Sequence, residues 1–332
     1  MLIMSIETSC DETAAAVIEN GQIIHSNVVA SQAEMHSKFG GIIPEMAARE
    51  HMLNLIPVID QALKISGVTI DDIDAIGVTN GPGLAGSLLV GVNTAKGIAF
   101  PKNIPIQGIN HLEGHIYASW LEGKNPDDEF GFPLLCLIAS GGHSDLVLMN
   151  NHQEFNLIAR TRDDAAGEAF DKGARILGLP YPGGPSIQKS ASTGCSGNFN
   201  LPRPKINNSL DFSFSGLKTA LIREVQKLKN LTPQNKSDLA SSFQEAITDT
   251  LIRNTLQAAE IHNVNGILIV GGVAANQKLR EEIKNRSQLP LMIPKVEFCT
   301  DNAAMIGAAA FYRMKNNLTY EWNMDVIPNL RL

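Results

Sequence analysis

The chain has 332 residues, 44% of them hydrophobic and 28 of them Gly; that is enough for two lobes with a core each, and it is the profile of a compact α/β protein, which excludes a disordered one. The net charge is -7 and no Lys/Arg block or basic tail is present, so a nucleic-acid partner requires a local basic patch or a helper protein. Cys10, Cys136, Cys195 and Cys299 are spread out without any C-x-x-C, and neither an export signal nor an apolar run of membrane-spanning length is visible, so the expectation is a cytoplasmic enzyme in a reducing compartment.

Leu2 to Ile6 is a short apolar run ending in Glu7-Thr8-Ser9-Cys10-Asp11-Glu12-Thr13. Ala14 to Ile18 is apolar again, Glu19-Asn20-Gly21 is a turn, and Gln22 to Val29 reads as a third strand, so the chain opens on hairpins. The first turn combines hydroxyls, backbone donors and carboxylates; it can hold a phosphate or its metal, or be a plain polar turn. His36 to Met46 is a Gly-rich loop, and Pro44-Glu45 opens a long helix. Ala47, Ala48, Met52, Leu55, Ile56, Ile59 and Leu63 stand at helical spacing along it, and Gly67 stops it. Ile73 to Thr79 is a strand running into Asn80-Gly81-Pro82-Gly83 and then a helix to about Phe100. Such a turn leaves N–H groups free at the helix start, which is an anion site in form. Gly83, Ala85, Gly86 and Gly91 would let that helix sit close to a neighbour or ligand.

Ile104 to Ile109 is a strand that delivers Asn110-His111-Leu112-Glu113-Gly114-His115 at its end, where functional residues collect in α/β folds. Two histidines four apart at a helix start leave the same face. Imidazoles suit zinc or ferrous iron, but two cannot close a site, so a third ligand must come from elsewhere; alternatively both are ordinary polar residues. The stretch is one transposition from the H-E-x-x-H of zinc peptidases, in which the Glu is a general base. Here Glu113 is two positions from each histidine, about 200° round the helix, so peptidase chemistry is disfavoured.

Leu121 to Gly131 is a polar linker, and the lobe boundary is placed there: residues 1–125 form the first lobe and 126–332 the second, with a last helix of about 302–316 free to pack back on the first. After the linker the opening pattern returns. Leu134 to Ala139 is apolar and runs into Ser140-Gly141-Gly142-His143-Ser144-Asp145; Leu146 to Met149 is apolar, Asn150-Asn151-His152 turns, and Phe155 to Ala159 is a third strand. Gly266 to Val270 feeds Gly271-Gly272-Val273-Ala274-Ala275-Asn276 and a helix, mirroring Ile76 to Gly83. A repeated α/β unit with glycine loops at matching strand ends predicts two lobes facing each other across a nucleotide cleft.

Between these elements, Arg162-Asp163-Asp164-Ala165-Ala166-Gly167-Glu168-Ala169-Phe170-Asp171-Lys172 is a loop entering a helix. Asp171 is either its polar face or a carboxylate for a ribose hydroxyl. Tyr181-Pro182-Gly183-Gly184-Pro185 is a rigid turn. Phe212-Ser213-Phe214-Ser215-Gly216-Leu217-Lys218 opens a helix that Ser215 would cap. Lys218 in the first turn opposes the dipole unless an anion is near, which hints at a phosphate or nucleic-acid contact. A long helix, about Lys236 to Ile261, carries Leu239, Phe243, Ile247, Leu251 and Leu256 as a core stripe. Last, Asp301 lies just before a small-residue helix, as an N-cap or as the carboxylate that completes a site with His111 and His115.

Taken together and in order, these stretches, with Gly81-Pro82-Gly83, Gly271-Gly272-Val273 and Thr300-Asp301-Asn302 among them, closely resemble the TsaD family of bacterial tRNA threonylcarbamoyltransferases, once labelled glycoproteases. The resemblance covers almost the whole chain. It implies the two-lobed, duplicated α/β fold of actin, heat-shock ATPases and sugar kinases (the ASKHA fold), with a central cleft. It implies transfer of threonylcarbamoyl from threonylcarbamoyl-AMP to N6 of adenosine 37 in tRNAs that read codons beginning with A. By the same resemblance His111, His115 and Asp301 are the ligands of a divalent metal, ferrous iron with zinc as the alternative. Ile138, Ala139, Ser140, Gly141, Gly142, Asp171, Gly184 and Asn276 hold the adenylate, and ATP or AMP could occupy the same place. The implied partners are tRNA, a TsaB-like paralogue and a TsaE-like ATPase, with the intermediate supplied by a TsaC-like synthase. The chain departs mildly from the family pattern, with Asn80 where Ala is common and Ala139 where Val is frequent.

A weakly nucleophilic aromatic amine attacking a carbamoyl carbon needs the carbonyl polarised and the leaving phosphate held, which a metal and glycine-loop N–H groups supply. No nucleophile–base pair is evident, so direct transfer is expected. Asp11 or Glu12 is the candidate carboxylate for the proton, and His143 a candidate for positioning the loop. The rivals are a small-molecule kinase on the same fold, where the histidine pair has no place, and an inactive nucleotide-binding scaffold.

Overall fold

A computed structural model of the chain describes residues 1–228, 230–315 and 317–332. The chain divides into two compact units, Met1–Glu129 together with Thr300–Leu332, and Phe130–Cys299. The first unit runs β1 (Leu2–Glu7), β2 (Glu12–Glu19), β3 (Ile23–Ser31), α1 (Ala33–Ser37), α2 (Pro44–Ser66), β4 (Ala75–Gly81), α3 (Ala85–Lys102), β5 (Ile106–Asn110) and α4 (His111–Tyr117). A short helix α5 (Pro126–Phe130) carries the chain across the boundary. The second unit runs β6 (Leu134–Ala139), β7 (Ser144–Asn151), β8 (Glu154–Ala159), α6 (Ala166–Ile176), α7 (Gly183–Ala191), α8 (Ser215–Lys227), α9 (Pro233–His262), β9 (Gly266–Val270), α10 (Gln277–Arg286) and β10 (Leu291–Met292). The chain then returns to the first unit with α11 (Ala303–Met314). Among the described residues no helix is long and apolar enough to cross a membrane.

The two sheets have one topology. The first has the order β3-β2-β1-β4-β5 and the second β8-β7-β6-β9-β10. In each, the first strand pairs antiparallel with the second, the second antiparallel with the third, and the first parallel with the fourth. The internal repeat read from the sequence is therefore a repeat of sheet connectivity.

β1 reads as a continuous apolar run because both its faces are covered. Met4 and Ile6 point into a core with Leu55 and Val58 of α2 and Val92 and Ala95 of α3. On the other face Ser5 donates its hydroxyl to the Ala303 carbonyl at 2.6 Å. Each fully buried Ile or Met on such a strand contributes about 1.5–3 kcal/mol. The small residues of α11 explain its depth. A Cβ on Gly307 would lie 2.7 Å from Ile18 Cγ1 and 2.9 Å from Ser5 Oγ, and one on Gly77 would lie 2.6 Å from Ala310 Cβ. Helix and sheet meet at backbone distance. In the second unit Leu239, Phe243, Ile247 and Leu251 of α9 are fully buried, while Leu256 packs half-buried at the core's edge.

Three sequence expectations change. The boundary falls at Glu129/Phe130, and the whole of Thr300–Leu332, rather than a helix of about 302–316 alone, belongs to the first unit. The reason is α11, which is buried almost along its length against the first sheet and α4; position 316, the expected end of that helix, lies outside the described residues. Second, the turn before α3 is not a row of free donors: Gly83 N donates to Pro328 O at 3.1 Å and Leu84 N to Ser9 O at 2.8 Å. Its glycines serve close packing, since a Cβ on Gly83 would lie 2.6 Å from Ser9 O. Third, Ser215 does not cap α8. Asp163 does so from a distant loop, accepting from Phe214 N at 2.7 Å and Ser215 N at 3.2 Å. The anion near Lys218 is Asp164, 3.6 Å away, so the protein supplies the counter-charge that had suggested a phosphate.

Candidate functional site

β1, β4 and β5 lie side by side and parallel, with Ile6 opposite Val78 and Val78 opposite Gly108. This register brings their C-terminal ends together, where an open α/β sheet places ligands. Glu7 ends β1, Thr79 is near the end of β4, and His111 follows β5. Asn110 caps α4, its side chain accepting from Leu112 N at 2.9 Å, so the helix starts at His111 and places His115 one turn later on the same face. The rings stand nearly perpendicular, with centroids 4.7 Å apart.

Asp301 completes the group. The N-cap of α11 is Asn302, whose Oδ1 accepts from Met305 N at 3.1 Å; Asp301 is thereby left for another task. Its Oδ1 lies 3.4 Å from His111 Nε2 and 3.3 Å from His115 Nε2. One ligand atom from each of the three residues falls within 4.8 Å of the others. His115 is fully buried, and among the described residues neither of its ring nitrogens has an aligned hydrogen-bond partner. A buried imidazole left so is costly, and a cation taking the lone pair removes that cost. Two nitrogens and one oxygen, with Asp301 about one-fifth exposed, fit a divalent ion that keeps positions open for substrate.

The electrostatics are those of a site rich in carboxyls. Burial opposes charge on His111, but Asp301 and Glu7 raise its pKa well above the ordinary imidazole value. Burial lowers that of His115. Burial also opposes charge on Asp301, yet the two imidazoles hold its carboxyl far below the usual range. Glu12 is pushed up to about 10 by burial and then by the charges of Asp301 and Asp11; its Oε1 accepts from Ser31 Oγ at 3.1 Å. Glu12, at the start of β2, thus lies close enough to Asp301 and Asp11 to feel both charges. Glu113 takes no part. It is fully buried on another face of α4 and accepts from Arg313 Nε at 3.0 and 2.9 Å through its two oxygens, which removes the peptidase reading.

The remaining candidates lie in the second unit. Ile138 and Ala139 are buried at the end of β6, and Ser140 to His143 form the turn to β7. Ser140 N donates to His143 O at 2.8 Å, and His143 N to Ser140 Oγ at 3.2 Å, so the backbone of His143 closes the loop. Among the described residues nothing lies within 4 Å of where a Cβ would stand on Gly141, Gly142 or Gly184; these glycines border open space. The neighbouring strand end is different: Gly271 has φ +88°, and a Cβ there would lie 2.5 Å from Ala139 O. Asp171 Oδ1 accepts from Gly183 N at 2.7 Å, tying α6 to the start of α7. Asn276 caps α10 through Leu279 N at 3.1 Å and donates to Gln244 Oε1 at 2.9 Å. Beside it a polar groove of about 270 Å³ is lined by Gln188, Ser192, Gln244 and Gln277.

Sequence reasoning missed Glu7. It was visible only as the first residue of a polar turn, and its place became apparent from the strand order, which sets β1 beside β4 and β5.

Comparison with known proteins places the chain in a family. The family described as "TsaD: tRNA N6-adenosine threonylcarbamoyltransferase" matches residues 23–308. A protein of that name from Dehalococcoides mccartyi is 52% identical over 330 residues, covering 99% of each chain. Another, from Thermomicrobium roseum, is 47% identical over 354 residues, covering 100% of this chain and 97% of its own. Among solved structures, T. kodakarensis HypF superposes with a TM-score of 0.64 at 14% identity, over 97% of this chain and 49% of that one. Likeness at that identity speaks for the fold, the ASKHA type, while the relatives speak for the family. The chain belongs to the TsaD family of tRNA N6-adenosine threonylcarbamoyltransferases.

Proposed function

We propose that this chain transfers the threonylcarbamoyl group from threonylcarbamoyl-AMP to N6 of adenosine 37 in tRNAs reading codons that begin with A. The observation that carries the proposal is the His111, His115 and Asp301 group, drawn from two distant stretches of a chain of this family. These residues would hold one divalent metal; two imidazoles and a carboxylate suit ferrous iron, as the family resemblance suggests, and also zinc. When bound, such an ion supplies Lewis-acid polarisation. In the reaction the N6–carbon bond forms, the bond from that carbon to the AMP phosphate oxygen breaks, one N6 proton leaves, and AMP departs. The turn Ile138 to Gly142, with Asp171, Gly184 and Asn276, is the proposed holder of the adenylate, its open glycines letting backbone donors approach phosphate. Asp11 and Glu12 are the proposed carboxyls for the N6 proton, and His143 shapes the turn.

Charge favours the same assignment. The acidic surplus sits in the first unit, with 19 Asp and Glu against 9 Lys and Arg, whereas the second has 15 against 18. RNA therefore meets less repulsion at the second unit. Met52, Leu53, Ile56 and Leu89 are exposed along α2 and α3, and a groove of about 340 Å³ lies between the helices. That apolar face suits a TsaB-like paralogue presenting matching helices. A TsaE-like ATPase and a TsaC-like synthase complete the proposed set, working in the cytoplasm where tRNA is found.

The test is transfer of labelled threonine from threonylcarbamoyl-AMP to unmodified tRNA, with and without the paralogue and ATPase. Label on adenosine with the intact chain, and none with His111→Ala, supports the reading. Absence of label under complete conditions, with ATP-dependent phosphorylation of a small metabolite, would replace it with the kinase. No turnover of either kind would replace it with the scaffold.

A further inference from the structure

Glu7 is fully buried and touches no open space. Its carboxylate is nonetheless held from three sides. Ser9 N donates to Oε1, Thr79 Oγ1 donates to Oε2 at 2.6 Å, and His111 Nδ1 lies 3.0 Å from Oε2. Burying a carboxylate costs several kcal/mol unless each contact is well made, so its place needs a reason. A plain core position at the end of β1 would be filled by an apolar residue like Ile3 or Ile6.

The geometry points to Glu7 as a positioning residue for the metal centre: it fixes the His111 ring so that Nδ1 carries the proton and Nε2 is left to the cation. This rests on reading His111, His115 and Asp301 as metal ligands. A carboxylate only accepts hydrogen bonds, so the ring nitrogen facing it must be the one with hydrogen. The other nitrogen is the one 3.4 Å from Asp301. Ser9 Oγ, 3.1 Å from the same Nδ1, can donate or accept and so does not decide the tautomer by itself. Thr79 in turn holds Oε2 in place. Carboxylate–imidazole–metal relays of this kind set ligand orientation and basicity.

The choice of Glu over Gln carries the test. In Glu7→Gln the amide oxygen can keep the bond from Ser9 N, which turns the NH2 group toward Thr79 and His111. That favours Nδ1 as acceptor and moves the ring proton to Nε2, the atom needed by the cation. The experiment is titration of the metal-free full chain with Co2+ and Zn2+ against a chromophoric chelator, with the cobalt visible spectrum recorded. His115→Ala is run beside it, and the thermal midpoint of each metal-free variant reports folding. The expected result is a folded Glu7→Gln protein whose affinity falls about 10–100-fold, with an altered cobalt spectrum, while His115→Ala loses binding. Unaltered affinity and spectrum in Glu7→Gln, with binding still lost in His115→Ala, would overturn the positioning role and leave the metal site standing. Binding unaffected by His115→Ala would overturn the metal site and this inference with it. Should Glu7→Gln fail to fold, Thr79→Val takes its place: a weaker shift in the same direction supports the role, and unaltered affinity overturns it.

Discussion

The two sheets share a strand order but not a chemistry. In the first unit the central strand ends in a buried carboxylate, Glu7, and the strand ends beside it carry Thr79 and His111. In the second unit the corresponding loop is Ser140-Gly141-Gly142, whose glycines border open space. One set of strand ends is packed, polar and rich in side-chain ligands. The other offers backbone. The difference teaches that a duplicated fold supplies two equivalent positions, and loop residues decide which carries side-chain donors, here the proposed metal group, and which presents backbone, here the proposed adenylate cradle.

The largest expected effect concerns what holds the packed end together. Glu113 and Arg313 form a bidentate pair, with the carboxylate fully buried. Arg313→Met removes one partner and leaves a buried charge, so the stability of the chain should fall by about 3–5 kcal/mol, read as a drop in the denaturation midpoint. The double change with Glu113→Gln should recover most of it. If the single change costs nothing, the docking of α11 on α4 does not depend on the pair. Next comes the proposed metal centre. His115→Ala should lower threonylcarbamoyl transfer by about a hundredfold or more, as loss of a major electrostatic stabiliser does, and metal content measured on the purified protein should fall with it. Retained metal and activity would erase the contrast between the two units.

The first unit's candidate ligands were more legible in the sequence than the second unit's geometry. His111 and His115 were legible because a spacing of four on a helix is a local property. Asp301 was legible only as one of two choices; Asn302 takes the cap, which leaves Asp301 free for the proposed metal group. Glu7 was not legible, since its role depends on β1 lying beside β4 and β5, and that is a matter of topology. The return of a last helix to the first unit was among the sequence expectations, but its extent, Thr300–Leu332, came from close contacts such as Gly307 on Ile18. The repeat was clear from the order of apolar runs and turns because sheet connectivity imposes that order. Local caps were misread where the capping side chain came from afar, as with Asp163.

The open end can be tested without touching the packed one. Nothing lies within 4 Å of a Cβ built on Gly184, so Gly184→Val should fold normally. The added methyl groups would occupy space proposed for the adenylate. The expected outcome is about a tenfold rise in KM for threonylcarbamoyl-AMP, the scale of a small steric misfit, with metal content unchanged. A rise in KM with metal lost would mean that the two regions are coupled. No change in either would place the adenylate elsewhere.

The smallest effect concerns a support of the second unit. Asp163 reaches across from the loop after β8 to the start of α8, accepting from Phe214 N and Ser215 N and from the hydroxyls of Ser213 and Ser215, each of the latter at 2.6 Å. Those bonds hold its pKa below the usual carboxylate value against the opposing effect of burial. Removing them in Asp163→Ala should cost about 0.5–2 kcal/mol, the range for losing a helix cap, seen as a lower denaturation midpoint. Asp163→Asn should keep part of the stability, since its carbonyl oxygen still accepts from the backbone N–H groups. Metal affinity should stay at its original value in both variants, because Asp163 and the proposed metal ligands belong to different units. A loss of metal in either variant would show that the second unit's framework acts on the first unit's centre, and the separation drawn between the two strand-end sites would fail.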